Sequence, residues 1–488
     1  MMLTMVNLLL RFVGTSFQVY LSAAIGAAGV GLLQLVMSVG ALGMVAGIGG
    51  IRTAAMYLTA EELGQKRPGT VIWVISGCIL YSICFSTATA FLLYRFAPWI
   101  AVNWLGDGGT VYALRLLAAF LPVTCLSAVM TGYFTASCRI GTLAAVEVAE
   151  QFVSMGITMA LLKFWACSSP VRACLCVIIG SGLGSILTLS CLVVLRIWER
   201  TEQDVQIPVR SRLLRTALPL AAADDLKSGI TTVENLMVPN RLRLNSATGD
   251  PLAAFGMVCG MVFPVIMFPA AILFGLNELL IPELARCNAS GNRTRIRYLV
   301  RRCLKIALLY GTLFSGLIFL LSDFLSVRLY ATAQAGKSMQ LYALLIPLLY
   351  CDAVTDAMIK GMGQQKICVR YNILTSVMDV AFLFLLLPRY GMEGYFFSFL
   401  VTHLINFVLS LRRLLIIAEE VIPWHIPARA VPAAVFAVFV SSTVRNDAMQ
   451  VLCYLLIWGS LLALLQVVNT RDLKWILGLI RQKTSPMG

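Results

Sequence analysis

The chain has 488 residues, of which 59% are apolar and only 12% charged. Its mean hydropathy of +0.86 is far above that of a water-exposed globular domain. Apolar runs of about 20 residues, the length of a bilayer-spanning helix, follow one another, which excludes the soluble enzyme classes. Lys and Arg outnumber Asp and Glu by 38 to 23, and in so apolar a chain that excess belongs to cytoplasmic loops rather than to a nucleic-acid site.

Polar breaks divide the sequence into fourteen apolar segments, near 5–23, 29–59, 70–94, 110–136, 141–162, 172–195, 213–238, 252–280, 299–322, 338–359, 367–388, 393–411, 429–443 and 450–468. The first has no basic stretch before it and no small-residue cleavage site after it, so it reads as a span rather than a removed signal peptide. Glycines within 40–50 sit inside an apolar segment and read as close helix packing, not as a phosphate loop. With the amino terminus in the cytoplasm, the basic stretches at 66–67, 196–215, 286–305, 360–370, 412–429 and 471–483 share one side of the membrane. The positive-inside rule then predicts a multi-pass protein of the cytoplasmic membrane with both termini inside.

The sequence also echoes itself at a spacing of about 230 residues. Tyr112-Ala113-Leu114 returns as Tyr342-Ala343-Leu344, Ala128-Val129-Met130-Thr131-Gly132 as Ala357-Met358-Ile359-Lys360-Gly361, and the helix end at 51–67 as 281–297. Six spans per copy keep the copies in one orientation, so they are expected to be related by an axis along the membrane normal. The expected fold is therefore all-α and integral to the membrane, with about 14 transmembrane helices. A six-helix lobe at 1–200, a cytoplasmic linker at 201–212 and a second six-helix lobe at 213–415 form a pseudo-twofold pair around a central cavity. Two additional helices at 429–468 and a cytoplasmic amphipathic tail at 471–488 follow.

A charge at the bilayer centre costs about 2.5–3.5 kcal/mol on insertion scales, so charged residues inside segments mark candidate sites. The seventh segment holds Asp224, Asp225, Lys227, Thr231 and Glu234. Asp224 and Lys227 are either a self-neutralising pair between packed helices or, with Glu234, part of a stripe facing a cavity; Asp225 is left over by the first reading. Pro219 and Gly229 make this helix easy to bend. Glu147 and Glu150, three apart in the fifth segment, are candidates for ion coupling. Asp352 and Asp356 in the tenth, with Lys360 continuing their face, read as the acids of an interlobe or helix-end salt bridge, and Asp379 lies in the eleventh. Basic residues in spans are few: Arg11, Arg52 and Arg115. Fourteen cysteines are scattered as small hydrophobes, and with two histidines they suggest no metal set and no cofactor. The sequons at Asn288 and Asn292 fall in a basic, cytoplasmic loop and are discounted as glycosylation sites.

Several short motifs occur in a characteristic order. They are Arg11-Phe12-Val13-Gly14 with Gly26-Ala27-Ala28-Gly29-Val30-Gly31-Leu32, Gly132-Tyr133-Phe134, Glu150-Gln151, the run Glu234-Asn235-Leu236-Met237-Val238-Pro239-Asn240-Arg241-Leu242, Leu280-Ile281-Pro282-Glu283-Leu284-Ala285, and Gly391-Met392-Glu393-Gly394. In this order they resemble the stage V sporulation protein B group of the multidrug/oligosaccharidyl-lipid/polysaccharide exporter superfamily. The resemblance implies a flippase, not an enzyme, that moves a lipid-linked saccharide precursor of wall, capsule or spore cortex across the cytoplasmic membrane by alternating access. Membrane lipids and wall or spore assembly proteins are its implied partners, and nucleic acid is not. Related lipid II flippases meet the substrate pyrophosphate with arginines of helices 1, 2 and 8. Arg11 and Arg52 stand for the first two here, whereas the eighth segment contains no Lys or Arg. Arg11, Arg52, Asp224, Asp225, Lys227 and Glu234 are accordingly the expected substrate contacts, with Arg11 foremost as the only basic residue of the first helix. Two alternatives share the fold: a proton- or sodium-coupled drug or metabolite antiporter using Glu147, Glu150 and the acids of helix 7, and a non-transporting scaffold. A basic cavity favours the flippase, an acidic one the antiporter, and a sealed apolar interface the scaffold.

Overall fold

The structure is a computed structural model that describes residues 2–48, 50–64, 70–137, 139–165, 169–197, 209–245, 249–421 and 424–467. The tail at 471–488 and residues 201–208 of the linker lie outside the described residues, as do the side chains of 209–225. Every described regular element is helical.

The first helix, α1 (Met2–Ile48), is two helices joined at Gly26, whose φ of 71° and ψ of 172° suit a residue without a Cβ. The helix kinks there, and Ser22 and Val30, on either side of the kink, both meet Gly260. A second positive φ, 69° at Gly50, ends this rod, and α2 (Ile51–Gly64) starts anew. Next come α3 (Val71–Ile100), α4 (Val111–Ala136), α5 (Ile140–Trp165), α6 (Pro170–Ile197) and α7 (Val209–Leu242). Beyond them α8 (Pro251–Met257) passes through a π turn into α9 (Phe263–Met267), followed by α10 (Ala270–Ala289), α11 (Arg293–Tyr330), α12 (Gln334–Ala343) and α13 (Ile346–Gly361). The long α14 (Gln365–Ala418) is again two helices, joined at Gly391 with φ 57°, and α15 (His425–Ser441) and α16 (Asp447–Leu464) complete the described chain.

Among the described residues, eight helices are long and apolar enough to cross a membrane, or ten if each of two bent pairs is one span. The sequence segments 5–23 and 29–59 share α1 and α2, while 367–388 and 393–411 share α14. α7, with its charges, is not among the eight. Phe91, Phe164 and Phe439 are 69%, 83% and 72% exposed, as expected of side chains that face lipid.

The chain packs as two compact units, Met1–Pro264 with Ser376–Ser398, and Val265–Thr375 with Phe399–Gly488. Lipid supplies no hydrophobic drive between helices, so close backbone approach at small residues holds each unit together. In the first unit, a Cβ added at Gly132 of α4 would come within 2.6 Å of the Arg52 carbonyl of α2. In the second, a Cβ at Gly361 of α13 would come within 2.9 Å of the Ile281 carbonyl of α10. These two contacts join the same echoed segments in each unit, 128–132 with 51–67 and 357–361 with 281–297. Loop ends are capped by side chains that accept from orphan amides. Asn292, one of the discounted sequons, accepts from the Arg295 amide at 3.0 Å to start α11.

Candidate functional site

Within the first unit, the second half of α1, the start of α2 and one face of α7 enclose a cavity of about 430 Å³. The break at Gly50 creates it. A continuous helix would satisfy its own amides, but α2 begins at Ile51, so its first N–H groups lack intrahelical partners and carry the positive end of the helix dipole. Arg52 projects from that first turn and lines the cavity together with Gly50. From α7 come Lys227, Ser228, Thr231, Thr232 and Asn235, a spacing of four that keeps them on one face. Ser38 of α1 completes the polar wall. Asn235 Nδ2 donates to Ser38 Oγ at 2.9 Å, and Thr232 Oγ1 donates to the Ser38 carbonyl at 3.2 Å and the Ser228 carbonyl at 2.8 Å, fixing α7 against α1. Arg52 and Lys227 are both exposed. No carboxylate lies among the described lining residues.

Thr232 also borders a larger cavity of about 870 Å³ with mostly apolar walls, including Leu226, Val233 and Val377. Leu42 and Trp104 are shared in turn between that cavity and a third of about 650 Å³ lined by Phe96 and Trp99. A small cationic chamber therefore adjoins apolar space within one unit.

The structure thus brings two of the expected substrate contacts, Arg52 and Lys227, to one cavity. Glu234, on the same helix, is not among its lining residues. It hydrogen-bonds Ser376 and its charge interacts with that of Asp379, both on α14. Asp379 Oδ1 in turn accepts from Ser398 Oγ at 2.6 Å. Asp224 and Asp225 belong to the described backbone of α7, but their side chains lie outside the described residues. Arg11 is exposed on the first half of α1 and does not line the cavity. Glu147 interacts electrostatically with Arg52 and with Glu150, while Glu150 Oε2 accepts from Thr188 Oγ1 at 2.6 Å and so ties α5 to α6. Arg115 lies 4.9 Å from the centre of the Tyr94 ring. In the second unit, Asp352 and Asp356 accept from amides and a hydroxyl: Asn406 Nδ2 at 3.1 Å, Ser410 Oγ at 3.0 Å and Asn372 Nδ2 at 3.3 Å.

Sequence reasoning from charge missed Ser38, Thr232 and Asn235, which are uncharged. Only Asn235 had a signal, in periodicity: Thr231 and Asn235 continue the face of Lys227 at four-residue steps. The pairing of Glu234 with Asp379 is tertiary and left no local trace.

The MatE family model matches residues 244–385. The chain is 20% identical over 393 residues to stage V sporulation protein B of Bacillus subtilis (strain 168), covering 78% of this chain and 75% of that one. It is also 20% identical over 316 residues to sporulation protein YkvU of the same organism, with 62% and 68% covered. Among solved structures, it is similar to the lipid II flippase MurJ in an inward closed conformation, at TM-score 0.70 and 15% identity over 95% of this chain and 98% of that one. An inward-facing multidrug resistance MATE family transporter of the MOP superfamily matches at TM-score 0.64 and 14% identity, over 85% and 99%. The neighbours whose names state an activity are transporters and a flippase, not enzymes. The chain has the multi-pass helical membrane fold of these transporters and is similar in sequence to stage V sporulation protein B.

Proposed function

We propose that this chain flips a lipid-linked saccharide across the cytoplasmic membrane, holding the phosphate or pyrophosphate of its substrate between Arg52 and Lys227. The observation that carries the reading is the sign of the cavity. Two cations, the amino end of α2 and five hydroxyl or amide side chains line it, with no described carboxylate. Such a chamber repels a cationic drug and binds an oxyanion through charge-assisted hydrogen bonds. The adjoining apolar cavities offer space for the lipid chain. Lobes at 1–200 and 213–415 would give the chamber its two-sided access, and the equivalent contacts at Gly132 and Gly361 support that repeat. Similarity to a sporulation protein and to a lipid II flippase supports a precursor of wall or spore cortex as the substrate, and the basic loops support a protein with both termini in the cytoplasm. Glu147 serves in this reading as the counter-charge of Arg52.

One observation favours the ion-coupled antiporter, the carboxylate pair Glu234 and Asp379, which suits a proton or small cation. In the flippase reading the same pair supplies coupling. Depletion of the chain in cells, followed by extraction of lipid-linked intermediates, separates the two. A cytoplasm-facing lipid-saccharide that accumulates on depletion, and clears with the wild-type chain but not with Arg52→Gln, is the expected result. An unchanged pool with altered export of small cations would replace the flippase by the antiporter.

A further inference from the structure

The larger cavity beside the cationic chamber carries a cation of its own at its far end. Its wall along α7 runs from Leu226 to Arg241, about 22 Å at 1.5 Å rise per residue. Thr232 borders both this cavity and the chamber, and Arg241 follows it by about 13 Å along the helix. Between these two residues the wall is apolar, made by Val233, Leu236 and Met237 of α7 with Val377 and Val380 of α14. Arg241 is one residue from the end of α7, so a single helix carries Lys227 at the chamber and Arg241 at the opposite end of the adjoining space.

The end of α7 is fixed, yet the donor edge of Arg241 is not used. Asn240 Nδ2 donates to the Trp104 carbonyl at 3.2 Å and to the Leu236 carbonyl at 3.1 Å, tying α7 to the turn after α3. The Arg241 guanidinium lies 3.6 Å from the centre of the Phe384 ring of α14. A ring holds a guanidinium by its flat face and occupies none of its in-plane N–H groups. Among the described residues no carboxylate pairs with Arg241, and none lines the cavity. Arg243, two residues on, is a useful contrast. Its guanidinium packs over Gly106, where an added Cβ would come within 2.6 Å of Nη2, and it does not line the cavity.

A half-buried arginine with a stacked face and an open fork, at the end of an apolar cavity, suits an oxyanion that carries a lipid chain. We propose that Arg241 is a second oxyanion site, which takes the phosphate or pyrophosphate of a lipid-linked substrate from Arg52 and Lys227 before its release at the end of α7. The proposal rests on the flippase reading. Arg52 and Lys227 load the anion, the apolar wall carries the lipid chain, and Arg241 receives the anion. A charge at membrane depth is costly, and a second cation limits the uncompensated path to the stretch between Thr232 and Arg241.

The test uses the full chain purified in detergent and titrated by calorimetry with farnesyl pyrophosphate. Farnesol is the uncharged control and inorganic pyrophosphate the chain-free one. In an Arg52→Gln, Lys227→Gln double variant, Arg241 is the cation left among the described lining residues of the two cavities, and weakened binding of farnesyl pyrophosphate should persist. Adding Arg241→Gln should weaken it by a further 10- to 150-fold or so, the range for a hydrogen bond to a charged group, and Arg241→Lys should restore part. Arg243→Gln in the same background should change nothing. Arg241→Gln alone should keep binding at the chamber and lose complementation of a flippase-deficient strain. Equal affinity with and without Arg241 in the double variant, or no binding left for it to support, would overturn the proposal and leave Arg241 as a clasp between α7 and α14. Equal loss in Arg241→Gln and Arg243→Gln would overturn it in favour of a diffuse basic surface. Inorganic pyrophosphate binding as tightly as farnesyl pyrophosphate, or phosphatidylglycerol displacing it at equal concentration, would overturn the assignment to a lipid-linked substrate. Wild-type affinity in the double variant that is lost with Arg241 would refute the chamber and leave the second site standing, so the two readings fail separately. If Arg241→Gln does not fold, Arg241→Lys against Arg243→Lys in the same titration still decides.

Discussion

Removal of either cation from the chamber is the sharpest perturbation of the proposed function. Arg52 and Lys227 line one cavity of about 430 Å³, small enough for both to reach a single phosphate or pyrophosphate. A hydrogen bond to a charged group contributes about 1.5–3 kcal/mol, so Arg52→Gln or Lys227→Gln should weaken substrate engagement by about 10- to 150-fold. Arg52→Lys should recover only part, because an ammonium keeps the charge but loses the planar fork that grips two oxygens. The double variant leaves the amino end of α2, worth about 0.3–1 kcal/mol when exposed, and the hydroxyls, and should be inactive. Glu147 interacts with Arg52 without lining the cavity, so Glu147→Gln should cost far less than Arg52→Gln. Arg11→Ala is the internal comparison. The sequence ranks Arg11 first among the cations, but it does not line the chamber, and its loss should fall short of that of Arg52. The assay is complementation of a flippase-deficient strain at matched membrane expression, together with the level of lipid-linked intermediates. Full activity of both single variants would refute the anion chamber and leave the carboxylate pair at Glu234 and Asp379 as the functional centre.

Three further outcomes follow from the same geometry. Gly50→Ala forces a Cβ onto a residue with φ 69°, at a cost of about 1–2 kcal/mol, and should lower the thermal midpoint and the activity together; an unchanged midpoint would show that the break tolerates a side chain. Gly256→Val places a side chain against the Ala27 carbonyl and the Gly31 backbone at the crossing of α1 and α8, and should prevent accumulation of monodisperse protein in the membrane, whereas Gly229→Ala, where a Cβ meets nothing, should accumulate normally. Cysteines at 227, 231 and 235, in a background without reactive native thiols, should label with an aqueous thiol reagent well above one at 91, whose phenylalanine faces lipid; equal labelling would show that the face of α7 is not wet.

How far the sequence carried this reading is clearest on α7. Composition and segment length were enough for an all-α membrane fold, because apolar runs of bilayer length have few other uses. The charges of α7 were equally visible, since an ionisable side chain at depth must find a partner or water. Their partition was not. Lys227 and Glu234 are seven residues apart and share a helical face in an ideal helix, yet one lines the chamber with Arg52 and the other meets Ser376 and Asp379. Neighbouring helices decide which side of a polar stripe becomes a cavity wall and which becomes a packed contact, and no local pattern records them. The glycines illustrate the same divide. The run at 40–50 read as a packing surface, and Gly40 and Gly47 do pack on Leu117 and Cys125. Gly50, at its end, breaks the helix instead and so sets Arg52 at a fresh amino terminus beside Lys227. That one backbone torsion sets an arginine that would otherwise snorkel from a helix end into the proposed anion-binding pair, and this is why Gly50 and Arg52 should fail together under mutation although only one of them carries charge.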